Sequence, residues 1–132
     1  MLQASLFPDF KGADTLLLWG DAEGVVELRQ GMTALWRGDM STISISGLLV
    51  SASRSDGRRS ELSRPRDGLV WVCTPSVLAD AQEAIARLVN VPSGHQFVDI
   101  NGLADQVIIS KGEYPETLRP QQRSSPFKTK AA

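Results

Sequence analysis

The 132 residues, 42% apolar and with a net charge of −1, describe one domain large enough to bury its own core. The single cysteine, Cys73, excludes an internal disulfide, and one cysteine with one histidine argues against a conventional zinc site within one chain. There is no cationic-then-apolar leader and no apolar run long enough to cross a bilayer, so a soluble, cytoplasmic protein away from membranes is expected.

In chain order, residues 1–12 carry Leu2, Leu6, Phe7 and Phe10 around Pro8, and read as a short edge strand or a cover over the core. Thr15–Trp19 is a strand bounded by Gly20. Asp21 caps the helix that follows, where Val25, Leu28, Met32, Leu35 and Trp36 share a face. Gly31 costs this helix about 1 kcal/mol relative to alanine, which leaves open a break there, with residues 31–35 as strand. Gly38 is its left-handed stop. Thr42–Ser46 alternates isoleucine with hydroxyls, the pattern of a strand with one wet side, extended through Leu48–Val50 past a bulge at Gly47. From Ser51 to Asp67 serine and arginine surround Asp56-Gly57, and a long exposed hairpin is expected.

Leu69–Cys73 is a continuous apolar run with β-branched and aromatic members, hence a buried strand. Thr74 and Pro75 open a helix that runs to Asn90, with Leu78, Ala81, Ile85 and Leu88 in one stripe. Gln96–Ile100 and Gln106–Ser110 are strands joined through the turn signal Asn101-Gly102. The order implies an α+β fold: two helices packed on one face of a mainly antiparallel sheet of five to six strands, ferredoxin-like or a related two-layer sandwich. Residues 1–114 form the domain, and 115–132 read as a basic, disordered tail. No repeat at a solenoid period is visible.

Charge is segregated. Arg54, Arg58, Arg59, Arg64 and Arg66 fall within thirteen residues that carry +3, and the chain after Glu116 carries +4, which leaves −8 for the rest. An acidic body with basic appendages points to partners rather than to fold. The arginine cluster lacks interleaved aromatics, and the acidic body repels a duplex, which weighs against nucleic acid. Gly20 and Gly24 make no phosphate-binding motif, and read as part of a turn and cap. Asp99 to Asp105 lacks the ligand order of a calcium loop. Cys73 and the three tryptophans read as core.

His95 is the one imidazole. It is either a general base oriented by Asp99 or Glu113, or a turn histidine satisfied by backbone. Asp99 shares its strand face only at about 13 Å. Lys111, Glu113 and Tyr114 form a recognition edge with His95 if the last two strands pair. Otherwise they mark an ordinary exit from the sheet, with Tyr114 packed on the core.

The expectation is therefore a non-enzymatic, accessory or immunity-like interaction module without a cofactor. It would engage a protein partner, or itself as a homodimer, through an exposed sheet face and the arginine hairpin. The rivals are a ligand-binding domain or enzyme using His95 with Glu113 and Tyr114, and a nucleic-acid accessory protein using the basic hairpin and tail.

Overall fold

The computed structural model describes residues 1–39, 42–45, 50–56, 61–64, 68–115 and 117–119. Its elements are β1 (Leu2–Phe10), β2 (Ala13–Gly20), α1 (Ala22–Arg37), β3 (Thr42–Ile45), β4 (Val50–Arg54), β5 (Glu61–Ser63), β6 (Leu69–Cys73), α2 (Pro75–Val89), β7 (Gly94–Asp99) and β8 (Gln106–Lys111). The fold is α+β, but the strands divide between two four-stranded mixed sheets: sheet A, in the order β1-β2-β8-β7, and sheet B, in the order β3-β4-β6-β5. In each sheet the central pair is parallel and the flanking pairs are antiparallel.

The helices begin and end where local chemistry sets them. The Asp21 carboxylate accepts from the Gly24 amide at 2.8 Å, and the Thr74 hydroxyl accepts from the Val77 amide at 3.4 Å ahead of Pro75. Gly38, at φ 77°, ends α1 in the left-handed region, and Asn90 ends α2. Gly31 does not break α1: burial of Val25, Leu28, Met32 and Leu35 outweighs its roughly 1 kcal/mol propensity cost.

The strand pairing reveals an internal duplication. The unit strand-strand-helix-strand-strand occurs twice, as β1-β2-α1-β3-β4 and β5-β6-α2-β7-β8. Each sheet takes two strands from each unit, so a pseudo-twofold operation exchanges sheet A with sheet B. Buried positions recur 53 residues on: Leu16 and Leu69, Val25 and Leu78, Met32 and Ile85, Leu35 and Leu88. Bonds recur too. The Gly112 amide donates to the Gly20 carbonyl at 3.0 Å in sheet A, and at the equivalent place in sheet B the Ser55 amide donates to the Cys73 carbonyl at 2.9 Å.

The larger of two hydrophobic clusters among the described residues joins both sheets and both helices. Leu2, Leu16, Leu18 and Ile109 of sheet A meet Leu62, Leu69 and Trp71 of sheet B and the apolar stripes of both helices. The sheets are also tied at an edge, where the Leu62 amide donates to Asn101 O at 2.8 Å and the Leu103 amide donates to Leu62 O at 2.9 Å.

Three expectations change. Residues 1–12 do supply an edge strand, but β1 is nine residues long rather than short, with Pro8 at a register shift between Phe7 and Phe10. Ser51–Asp67 is not one exposed hairpin: β4 and β5 flank opposite sides of β6, and Ala52 and Leu62 are buried. Trp36 is 42% exposed rather than core, because it sits at the edge of the α1 stripe. The expected Gly47 bulge and the Leu48–Leu49 extension lie outside the described residues.

Candidate functional site

Strand alternation gives sheet A a second, outward face. Leu16, Leu18, Val107 and Ile109 point into the main core, whereas Phe7, Leu17, Trp19 and Ile108 form a separate cluster on the other side. The chain after β8 crosses this outer face. Gly112, at φ 69°, turns it, the Trp19 indole donates to the Pro115 carbonyl at 2.9 Å, and Tyr114 packs edge-on against Phe10 at 5.8 Å between ring centres. Leu118 packs on the same cluster, so the packed chain extends past Tyr114.

The same turn returns Glu113 over the β7–β8 pair. Register sets His95 opposite Ser110 and Phe97 opposite Ile108. His95 Nδ1 lies 3.0 Å from both carboxylate oxygens of Glu113, and Ser110 Oγ donates to Glu113 Oε1 at 2.6 Å. Burial pushes the Glu113 carboxyl up, but the bonds from Ser110 and His95 and the positive charges of His95 and Lys11 outweigh it and hold the group below its ordinary value. The imidazole also meets the edge of Phe97 at 5.4 Å between centres. His95 Nε2 has no partner among the described residues.

This geometry orients an imidazole and leaves one nitrogen open, as a general base requires. It does not make a nucleophile, because the Ser110 hydroxyl is bonded to Glu113 rather than to His95. A cleft of about 430 Å³ opens on the far side of Glu113, lined by Gln3, Trp19, Asp21, Tyr114 and their neighbours, but His95 is not on its wall.

Of the residues singled out in the sequence, the structure brings His95 and Glu113 together, so His95 is not a turn histidine satisfied by backbone. Asp99 stays away, as its spacing requires. Tyr114 lies next to Glu113 but packs on the aromatic cluster. Lys111 leaves the edge altogether: its ammonium is buried and donates to the Leu88 and Val89 carbonyls at the end of α2, at 3.0 and 3.2 Å. Arg54 occupies the equivalent position in the other unit. Its guanidinium donates to the Trp36 carbonyl at the end of α1, stacks over the Trp36 ring at 5.9 Å and pairs with Asp56 at 2.9 Å. Arg54 therefore closes a helix, and Arg64 is exposed. Arg58, Arg59 and Arg66 lie outside the described residues, as does the chain beyond Arg119.

Sequence reasoning missed Ser110 and Phe97 as members of this group. The signal was present: once the last two strands pair, alternation puts both on the face of His95.

The duplication supplies an internal control. At the sheet B positions equivalent to Leu17, Trp19, Ile108 and Phe97 stand Val70, Val72, Ser51 and Ser44. The inner pairs Leu16/Leu69, Leu18/Trp71 and Ile109/Ala52 are apolar in both units, whereas on the outer side Trp19 gives way to Val72 and Ile108 to Ser51. Comparison with protein families, curated proteins and solved structures gives no match.

Proposed function

We propose that this protein is a non-enzymatic protein-interaction module whose working surface is the β7 side of sheet A. The observation that carries this reading is Phe97. It stands 50% exposed on an edge strand, although Phe7, Leu17, Trp19 and Ile108 of the same face are buried, with Phe10, Tyr114 and Leu118 packed against them. An aromatic beside an open strand edge offers both apolar area and main-chain hydrogen bonds to an incoming polypeptide. His95 is held against Phe97 by Glu113, so the surface is rigid before a partner arrives, which reduces the ordering cost of binding. Divergence of this face from its counterpart on sheet B supports a role beyond folding.

A photo-crosslinking amino acid at position 97, compared with one at exposed Asp80 on α2, tests the reading in cells of the source organism. The expected result is polypeptide adducts at 97 and few at 80. Equal labelling at both positions would count against it.

The His95–Glu113 pair favours a second reading, a small ligand-binding or proton-transfer site on the same face. It requires the His95 resonances to move when candidate ligands are added. A titration curve unchanged by every ligand leaves the interaction reading in place.

A further inference from the structure

We infer that the occupant of the β7 edge is a second copy of this chain, paired β7 to β7, antiparallel and centred on Phe97. This rests on the reading of β7 as the interaction edge and names its partner.

The other edge strands are unsuited. β1 carries Pro8, a register shift and Asp9 at φ 49°, devices that blunt an edge. β5 has three residues and is already bridged to Gly102. β3 has four residues. β7 runs six residues, Gly-His-Gln-Phe-Val-Asp, without proline, lysine or a break in register. Its main chain bonds only to β8 among the described residues.

The sequence of β7 is complementary to itself. Antiparallel pairing centred on Phe97 sets Phe97 against Phe97 and His95 of one copy against Asp99 of the other, twice by symmetry. All three residues project from the outer face. Asp99 is exposed and has no ion pair among the described residues, and His95 Nε2 is open. Glu113 at Nδ1 and Asp99 of the other copy at Nε2 would hold the imidazole between two carboxylates. A centre shifted by one residue sets Phe97 against either His95 or Asp99 and loses both charge pairs. In the stated register the two copies of sheet A join into one eight-stranded sheet, and the ring-on-ring contact covers Phe97.

The test uses the full chain. Sedimentation equilibrium should show a concentration-dependent doubling of mass, and Asp99→Lys should raise the dissociation constant at least about tenfold by setting like charges opposite one another. Phe97→Cys should form a covalent dimer on oxidation. The native Cys73 will not compete, because burial pushes its thiol up to about 12. Asp99→Cys should crosslink far more slowly, since the two copies of residue 99 are offset by about 13 Å in this register. Thermal melting verifies that each variant is folded. A folded chain that stays monomeric at every concentration, with Phe97→Cys crosslinking no faster than Asp99→Cys, overturns self-pairing. If position 97 then still labels a different polypeptide in cells, the interaction reading stands without it. If nothing is labelled, both fall.

Discussion

Lys111 and Arg54 show how one position can be read wrongly from composition and rightly from geometry. Both are cations at the end of the inner strand of a unit, and both donate to carbonyls that close the helix of that unit. Lys111 is the more deeply buried, so water cannot replace it. Lys111→Met should lower unfolding free energy by about 2 kcal/mol, whereas Arg54→Met should cost less than about 1 kcal/mol, because part of its side chain is solvated. Urea denaturation of the two variants measures the difference. Glu113 gives a pH signature. Its folded pKa lies below the ordinary 4.5, so its bonds add stability that is complete above that value and is lost as pH falls through the folded pKa. Glu113→Gln should therefore be less stable than the natural chain near neutral pH and approach it in acid. Melting temperatures compared across that range provide the check.

Among the elements, helices were the most legible. Thr74-Pro75 and Asp21 announced their starts, and spacings of three and four announced their buried faces. Strands β2, β6, β7 and β8 were also plain from apolar runs and the turn signal. What the sequence concealed was pairing. Nothing local in Ser51–Asp67 says that its two strands lie on either side of β6, because parallel partners are chosen by distant residues rather than by turns. The His95–Glu113 contact was half visible for the same reason: it needed the β7–β8 register and the reversal at Gly112. The loop between β7 and β8 is where the sheets are stitched, and it depends on Gly102. That residue sits at φ 104°, and an added Cβ would meet the backbone of Leu62. Gly102→Ala combines backbone strain of about 1–3 kcal/mol with loss of the bonds to Leu62, so the total cost should exceed about 2 kcal/mol. Hydrogen exchange should show the Leu62 and Leu103 amides losing protection before those of β2 and β8.

For the whole molecule, the duplication matters more than any one contact. Its period of 53 residues escaped notice in the sequence because between residues 16–38 and 69–91 only Leu16/Leu69 and Leu35/Leu88 are identical. The repeat is one of burial, not of letters. Since each sheet needs strands from both units, neither unit can be stable alone, and damage to either should be felt by both. Met32→Ala and Ile85→Ala occupy equivalent core positions and should each cost about 2–5 kcal/mol. Tryptophan fluorescence and far-ultraviolet circular dichroism should report the same single transition in each variant. Two separated transitions would contradict a shared core.

The placement of β8 at the centre of sheet A also bears on how the chain is made. Among the described strands β8 is made last, and it is the parallel neighbour of β2, one of the first. Until it arrives, the hydrogen-bonding side of β2 opposite β1 is open, and neither β1 nor α1 covers it. Sheet A must therefore wait for β8 to be made, and the chain that lacks it is the form most in need of a chaperone.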